Sequence, residues 1–500
     1  MKKSSIALVV VAALAVAYPA ASWMTGKRLE EKLSKMEKKD VLFSNFKVVK
    51  QSYTRGIFSS KQESTIELDA GGMSPVLTPS ALPHSLQDTA ATTPGQESAE
   101  AKAEPDISSP VRKPLQIQVI NYIQHGPVPG ILGVAAGKIE TELVLDASTL
   151  AEIKKVFGDK KFVEIRTLLN YGGGGSFAIT SPAVKTSVGV NQDKLDWKGL
   201  RFEIGFDAAY KKLNFNFNSP GLEVNAANGG ISAKVGEIKM QGDAERVYPD
   251  GFIYLGTSKA TISSFSFTNA QAQNKGVNLK DISLESNTSL KNDLLNAGLK
   301  FGIANIMMND TNIGNFHYDY SLQRLHAPSV NQFFVLLREM DRLQQDAAAV
   351  VETQKKLKEL GVEILKHDPV VALDRLSLTS KNGEFKAAAK FGFVGVQAED
   401  FEVPTALLSK MEVSGQASLT GNLADDFIDA SQTDPEARAM MRSLFYSQID
   451  TWETQGYIKR DNKVSSADFS WKLGQMLVNG KPFPPTPTVG AAEAAPVERK

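Results

Sequence analysis

The chain contains no cysteine among its 500 residues. This absence excludes disulfide bonds, catalysis by a thiolate and metal sites built on cysteine ligands. The folded chain must therefore be held together by apolar packing and hydrogen bonds alone.

The chain also lacks net charge, because 56 basic residues balance 56 acidic ones. Without a long-range electrostatic field, neither nucleic acid nor an anionic membrane surface attracts the protein as a whole. We therefore predict no nucleic-acid partner. With 42% hydrophobic residues the chain can bury a sizeable core, and its length predicts two or three domains beyond the N-terminal segment.

Catalytic and metal-binding patterns are missing too. The chain has five histidines, at positions His84, His125, His317, His326 and His367. No two of them have the i, i+4 spacing of a helical zinc site. The run Gly172–Gly175 precedes a strand-like stretch and lacks the Gly-Lys-Ser/Thr ending of a phosphate-binding loop, which favours a hairpin loop. The nucleophile motif Gly-x-Ser-x-Gly is also absent. We predict that the protein is not an enzyme and has no cofactor and no metal.

The first residues form an export signal. Lys2 and Lys3 precede an apolar run from Ile6 to Met24, which just reaches the roughly 20 residues that a membrane-spanning helix needs. The two lysines fit the cytoplasmic side of such a span, and Trp23 fits the aromatic belt at the opposite interface.

We predict that this segment is a retained anchor, with Ile6, Leu14 and Trp23 along the span and with residues 1–33 as signal-anchor and juxtamembrane helix. The protein would then cross the bacterial inner membrane once, with the bulk of the chain in the periplasm. The alternative is cleavage after the small-residue pattern Ala15-Val16-Ala17, which would release a soluble periplasmic protein.

Alternation of apolar and polar residues dominates the body of the chain and is typical of half-buried antiparallel strands. The clearest runs are Leu200–Phe206 and Leu213–Asn218. Asn382-Gly383 separates two such runs and predicts a hairpin with a type I′ turn. The predicted fold class is α+β and β-dominated: an elongated, twisted system of antiparallel sheet with two longer amphipathic helices packed on it.

Two stretches have a helical period instead. Apolar residues recur every three or four positions from Ser329 to Lys366, which predicts one long amphipathic helix. The second helix is predicted to begin with Asp434 as N-cap and Pro435 at its first position, and to end near Gly456. A short third helix is predicted over residues 148–157.

Two segments rich in proline, alanine and polar residues, 71–114 and 482–500, have no apolar period and are predicted to be disordered. The predicted regions are therefore the anchor segment 1–33, a β-rich periplasmic region 34–328 containing the disordered insertion, a mixed helix and β-meander region 329–481, and the tail.

The most distinctive local pattern is Tyr53-Thr54-Arg55-Gly56-Ile57-Phe58. Gly56 can supply a positive φ at a turn or bulge, and the rings of Tyr53 and Phe58 can be buried beside it. We interpret Tyr53, Arg55, Gly56 and Phe58 as a structural motif that closes a first hairpin, with an interaction site as the alternative.

A second pattern, His125-Gly126-Pro127, marks a tight turn in which His125 is interpreted as a structural cap and a catalytic base is the alternative.

These motifs carry a family resemblance. The anchor ending in Thr25–Glu30, the segments Ser52–Ser60 and Ile123–Pro127, and the closing Val478–Lys481 are similar to those of the YdgA-like family of Gram-negative bacteria. The resemblance implies a single-span, inner-membrane-anchored periplasmic protein and transfers no catalytic residue. The long insertion Gly71–Pro114 departs from the family pattern and must loop out if the two central motifs are neighbours in space.

The leading functional hypothesis is a non-enzymatic cell-envelope protein that binds an apolar ligand, such as a lipid, or a partner along its sheet face. It rests on architecture. The alternative is a structural or assembly factor with a self-filled core and protein partners. A third class, an envelope hydrolase, would need His125 or His317 close to an acid and a serine or threonine nucleophile. The oligomeric state does not follow from the sequence.

Overall fold

The computed structural model of the chain describes residues 21–28, 30–31, 46–68, 115–126, 128–129, 135–249, 251–270, 276–309, 311–340, 347–432, 434–472 and 474–483. It divides into an N-terminal unit, Met1–Leu150, and a C-terminal unit, Ala151–Lys500. The predicted disordered insertion 71–114 lies outside the described residues, and so do most of the predicted span and the part of the predicted tail 482–500 that follows residue 483. The prediction of disorder is wrong for Pro482, which belongs to a short strand. None of the helices in the described ranges is long and apolar enough to cross a membrane.

The N-terminal unit contains a four-stranded antiparallel meander in the order β1-β2-β3-β4. Its strands are β1 Phe46–Arg55, β2 Ser59–Leu68, β3 Leu115–His125 and β4 Gly137–Val144. Residues 21–28 and 30–31 are helical and belong to helix α1. The buried apolar side chains of this sheet include Val119, Ile123 and Ile139, which the alternation of β3 and β4 places on one face.

The C-terminal unit is a much longer antiparallel system. Its strands are β5 Glu164–Leu169, β6 Gly175–Ser181, β7 Val184–Val188, β8 Asp193–Trp197, β9 Leu200–Phe206, β10 Lys212–Ser219, β11 Leu222–Asn225, β12 Ile231–Val235, β13 Ile238–Arg246, β14 Tyr254–Asn269, β15 Gly276–Lys291, β16 Leu294–Met308, β17 Thr311–His326, β18 Val370–Thr379, β19 Gly383–Phe393, β20 Met411–Gly421, β21 Lys459–Asp461, β22 Val464–Lys472, β23 Gln475–Val478 and β24 Lys481–Pro482.

The pairing order is β5-β6-β9-β10-β13-β14-β15-β16-β17-β18-β19-β20-β22-β23-β24, with β21 also on β22. Strand β14 is long enough to serve two neighbours. Its first part pairs with β13, and its last residues, Phe265–Asn269, pair with β12 of a second run β7-β8-β11-β12. The prediction of a β-dominated fold with a large antiparallel sheet is confirmed.

The hairpin turns follow local backbone chemistry in one case and tertiary contacts in another. Asn292 and Asp293, between β15 and β16, both have positive φ (51° and 60°), as a type I′ turn requires. The predicted hairpin at Asn382-Gly383 is present, but neither residue has a positive φ, so the predicted turn type is wrong. The Asn382 side chain donates to Asp426 of a neighbouring helix.

The helices are α2 Ala147–Phe157, α3 Ala327–Met340, α4 Ala347–Leu365, α5 Pro404–Lys410, α6 Leu423–Ser431 and α7 Pro435–Gln455, with a short 3-10 helix at Ala398–Phe401. The third predicted helix is α2. The prediction of one helix from Ser329 to Lys366 is wrong, because this stretch forms α3 and α4, which pack on each other. In one continuous helix the ends facing each other, Met340 and Ala347, would be about 10 Å apart and the helices could not touch.

The ends of α7 lie where the sequence predicts. The Asp434 side chain accepts a hydrogen bond from the Glu436 amide at 2.9 Å, Pro435 follows, and Gly456 ends the helix with φ of 79°. The main core of the C-terminal unit joins Ile253 and Leu295 of the sheet region to Ala327 and Val330 of α3, with Ile364 of α4 packed against them. The α3–α4 pair is therefore held to the sheet by its apolar stripe.

Candidate functional site

The two distinctive sequence motifs meet in the N-terminal unit around the His125 ring. His125 ends β3 and is only 2% exposed. Its Nδ1 lies 2.9 Å from the carbonyl oxygen of Ser22 in α1, and its Nε2 lies 3.0 Å from the Ser60 hydroxyl in β2. Since a carbonyl can only accept, Nδ1 carries the proton, whereas the Ser60 hydroxyl can donate to Nε2 or accept from it.

The neutral form of the ring is favoured by the surroundings of His125. Burial lowers the pKa of His125 below its ordinary value, and the charge of Arg55 lowers it further, although hydrogen bonds to backbone groups act against both effects. The Ser22 hydroxyl, itself fully buried, donates to the His125 carbonyl at 2.6 Å. Helix α1 is thus tied to the sheet by a reciprocal pair of contacts between Ser22 and His125.

Two glycines allow this close approach. A Cβ on Gly26 of α1 would lie 2.7 Å from the His125 ring, and a Cβ on Gly126 would lie 2.8 Å from the Ser22 hydroxyl. Gly126 also has a φ of 129°, which L side chains rarely adopt. Glycine at both positions is what lets the helix lie against the end of β3.

The remaining motif residues lie nearby but do not all behave as predicted. Arg55 pairs with Glu30 at 2.6 Å and lies 5.2 Å over the Trp23 ring, so it is a second tie to α1. Phe58 is 47% exposed, so the expectation that its ring is buried is wrong. Gly56 has no positive φ; its amide donates to the Ser59 carbonyl at 2.7 Å, and a Cβ would clash with that oxygen.

Tyr53 is half-buried, and burial raises the pKa of its phenol. Pro127 lies outside the described residues. The described partners of the His125 ring are serine and backbone oxygens, and both His125 and Ser60 are buried. This arrangement offers neither a carboxylate to orient the ring nor an open approach to the serine, so its chemistry is that of a structural tie.

A large opening lies in the C-terminal unit. A cavity of about 810 Å³ separates α6 and α7 from strands β18 to β20 and β22. None of its lining residues carries a charge. Ligand cavities in proteins typically measure about 300 to 1,000 Å³ and are mostly apolar, so this cavity has the size and the lining of a site for a hydrocarbon chain.

Strand register determines which side chains form the floor of the cavity. Leu378, Phe385 and Leu419 lie opposite one another on β18, β19 and β20. Two residues further along β20, Ala417 lies opposite Ala467 of β22. Because residues two apart share a face, large side chains and a pair of alanines line the same surface, and the alanines leave the space open.

The roof is α7, which polar contacts hold at both ends. Near its start, Arg442 pairs with Asp425 at 3.1 Å and with Asp429 of α6. At its end, Lys481 donates to the Gln455 carbonyl at 2.7 Å, and Arg460 pairs with Asp450 at 3.0 Å. With its ends fixed in this way, the helix bridges the sheet without closing onto it.

The cavity is open to solvent along apolar side chains. Leu444 of α7 is 63% exposed and Phe427 of α6 is 50% exposed, although both line the cavity. The sequence predicted an apolar sheet face but did not show which strands form it. The available signal was α7 itself, whose apolar residues Met440, Met441, Leu444 and Phe445 fall on one broad face of the helix.

A second group that sequence reasoning missed is His326, Glu363 and His367, whose side-chain donor atoms lie within 4.8 Å of one another. The spacing of histidine pairs does not reveal this group; the signal is a glutamate of α4 four residues before a histidine that follows the helix.

These features define a class of protein: a large antiparallel β-sheet system with helices over part of its face and an apolar cavity beneath two of them. The chain belongs to the family described as "Bacterial protein of unknown function (DUF945)", whose model matches residues 1–486.

Curated relatives agree with this assignment. Protein YdgA of Escherichia coli (strain K12) is 20% identical over 525 aligned residues, which cover 96% of this chain and 95% of the relative. An uncharacterized protein of Haemophilus influenzae is 22% identical over 362 residues, covering 67% of this chain and 86% of the relative. The predicted membership of a YdgA-like family is confirmed. No solved structure matches the chain.

Proposed function

We propose that this protein is a non-enzymatic component of the bacterial cell envelope that holds an acyl chain in the cavity beneath α7. The observation that carries the proposal is a cavity of about 810 Å³ whose lining has no charged residue. Each methylene group that leaves water for such surroundings contributes about 0.8 kcal/mol, so a chain of ten or more carbons would bind without any polar anchor.

The position of the protein in the envelope is part of the proposal. The lysines at positions 2 and 3 and the apolar run Ile6–Met24 support an anchor in the inner membrane with the body in the periplasm. An anchored cavity stays close to a source of lipid. We also propose that the sheet system is elongated and twisted, as the sequence predicts.

The test uses a substitution on the sheet that fills the cavity. In the Ala417→Phe variant a ring would occupy the space between β20 and α7, because Ala417 lies in the lining opposite Ala467. The matched control is Ala388→Phe on β19. Ala388 lies opposite the exposed Gln416 and belongs to the other face of the sheet.

Wild type, both variants and an unrelated single-span protein would be purified in the same detergent, and their organic extracts compared by mass spectrometry. We expect an acyl species at near-stoichiometric amounts in the wild type and in Ala388→Phe. In Ala417→Phe it should fall at least about tenfold, since that factor equals about 1.4 kcal/mol, less than two buried methylenes contribute.

An extract that matches the unrelated protein would contradict lipid binding. The alternative, an assembly factor with protein partners, would then be tested by crosslinking in the periplasm. Equal loss in both variants would also contradict the assignment to this cavity, because Ala388 does not line it.

A further inference from the structure

A histidine-rich cluster lies where the α3–α4 pair meets the sheet. His326 is the last residue of β17, Glu363 lies in the last turns of α4, and His367 follows that helix. The two imidazole rings stack with centroids 4.3 Å apart and an interplanar angle of 20°. One donor atom from each of the three side chains lies within 4.8 Å of the others.

The backbone around the cluster is held by independent contacts. Ala327, next to His326, is fully buried in the core, and Ile364, next to Glu363, packs against that core. The Arg324 side chain donates to the His367 carbonyl at 3.0 Å. The three donors are therefore brought together by the apolar packing of α3 and α4 on β17, and the cluster does not depend on an ion for its assembly.

Each of the two imidazole rings has a nitrogen that could bind a ligand. The Nε2 atom of His367 is buried and has no hydrogen-bond partner among the described residues; the nearest acid oxygen, Glu363 Oε1, is 3.5 Å away. A buried polar atom without a partner is destabilising. His326 Nδ1 lies 2.8 Å from the Ser329 hydroxyl, so this ring would bind a ligand through its Nε2.

We propose that His326, Glu363 and His367 bind a divalent transition-metal ion, for which zinc is the best match. Two imidazole nitrogens and one carboxylate oxygen form a donor set that zinc accepts at about 2.0–2.2 Å, with a water in the fourth position. Donors on a tetrahedral ion at those bond lengths are about 3.3 Å apart, so the side chains need to close by only about 1.5 Å.

The hydrogen bond between His326 and Ser329 fits this assignment. A histidine that binds metal through one nitrogen usually gives the other to a neighbouring acceptor, which sets the ring orientation. Lys366 approaches Glu363 through Oε2 at 3.7 Å, whereas Glu363 Oε1 faces His367 Nε2 at 3.5 Å; Arg324 pairs with Asp368 at 3.7 Å. The bound ion would tie the end of α4 to the end of β17.

The proposal does not rest on acyl binding, because none of the three ligands lines the cavity beneath α7. It is tested with the full-length protein after removal of any histidine tag. Protein stripped with EDTA and dialysed against zinc would be assayed for metal content by inductively coupled plasma mass spectrometry. We expect about one zinc ion per chain for the wild type.

Two variants remove ligands and one serves as control. Glu363→Gln keeps the shape of a partly exposed side chain and should fold normally, and His367→Ala removes the unpaired nitrogen. Each should weaken zinc binding more than about tenfold, since even changes of outer-shell partners cost tenfold to a hundredfold. His317→Ala removes a histidine elsewhere on β17 and should bind zinc as the wild type does.

Thermal unfolding supplies a second readout. Zinc should raise the melting temperature of the wild type and of His317→Ala, and it should leave that of Glu363→Gln unchanged. The proposal is overturned if the wild type retains no zinc. Equal zinc content and affinity in all four proteins would also overturn it, because the ion would then lie elsewhere.

Discussion

At the scale of single residues, the clearest design in this molecule is a neutral histidine used as a structural tie. His125 satisfies two buried polar groups from different elements, the Ser22 carbonyl and the Ser60 hydroxyl. A buried polar group is favourable only when its partners are present. His125 is therefore a residue whose removal affects three segments at once.

We expect His125→Ala to lower the free energy of unfolding of the N-terminal unit by about 2–4 kcal/mol, because it opens a cavity and leaves both partners unpaired. Amide hydrogen exchange in β2 and β3, measured by mass spectrometry, reports this local stability. His317→Ala, on β17, should leave exchange in β2 and β3 unchanged, and equal protection in wild type and His125→Ala would refute the tie.

The same residue predicts a pH dependence. The pKa of His125 is lower in the folded state than its ordinary value of 6.5, so the unfolded state binds the proton more readily. The stability that His125 contributes is fully present above pH 6.5 and is lost as the pH falls through the folded pKa. Wild-type protection of β2 and β3 should fall with pH over this range, and His125→Gln should flatten the fall.

The glycine that faces His125 gives a steric prediction. Gly26→Ala places a Cβ 2.7 Å from the buried ring, so we expect α1 to be displaced and trypsin to cut faster after Lys27 and Arg28. The control is Gly172→Ala, whose Cβ would meet no atom within 4 Å. Identical cleavage rates in the two variants would contradict the close packing of α1 on the ring.

At the scale of elements, helix ends are decided locally and helix faces are decided by packing. Helix α7 begins at a capped Asp434 and ends at a left-handed Gly456, both of which are residue choices within one turn. Its apolar side chains, by contrast, find no close-packed sheet beneath them and line a cavity. The same helix is therefore predictable at its ends and unpredictable in what it covers.

We expect Asp434→Ala to destabilise α7 by about 1 kcal/mol, because it leaves the Glu436 amide unpaired. Asp434→Asn keeps a side-chain acceptor and should retain most of that stability. Urea denaturation of both variants, followed by circular dichroism, measures the difference. Asparagine as damaging as alanine would indicate that the charge of Asp434 matters more than its cap.

Helix α4 offers a stabilising substitution. Gly361 lies inside the helix, has no positive φ, and a Cβ there would meet nothing within 4 Å. Gly361→Ala should therefore raise the free energy of unfolding by about 0.5–1 kcal/mol through reduced freedom of the unfolded chain. Loss of stability in a urea titration would mean that an unseen neighbour occupies the space.

At the scale of the whole molecule, the two units are each held together by different contacts. The N-terminal unit ties helix α1, whose described residues overlap the end of the predicted span, to a small meander through His125 and Arg55. The C-terminal unit spreads its strands over a long antiparallel system and buries its main core where α3 and α4 meet the sheet. The predicted division at residue 328 stays a prediction.

The anchor is a prediction at this scale. We expect the full-length protein to remain with the membrane pellet after alkaline carbonate extraction, and a chain beginning at residue 34 behind a cleavable export signal to be soluble in the periplasm. Intact mass should show that the segment ending at Leu33 is retained. A mature protein that begins just after Ala17 would support the cleaved alternative.

Sequence reasoning succeeded where neighbouring residues decide the outcome. The alternation in Leu213–Asn218 became β10, the third helix became α2, and Asp434 capped α7. It failed where distant residues decide. The stripe from Ser329 to Lys366 continues without interruption, yet it folds back as α3 and α4. Asn382-Gly383 has the chemistry of a type I′ turn, yet neither residue has a positive φ, and Asn382 bonds to the distant Asp426.

The sequence by itself determined the β-rich class, the ends of α7 and the family, because strand alternation, helix caps and motifs are written in short stretches of chain. Only the tertiary structure decided the rest. His125 meets Ser22 across 103 positions, His326 meets His367 from the ends of different elements, and the cavity brings together side chains of α6, α7 and several strands. Such contacts depend on packing in three dimensions, which no local pattern encodes.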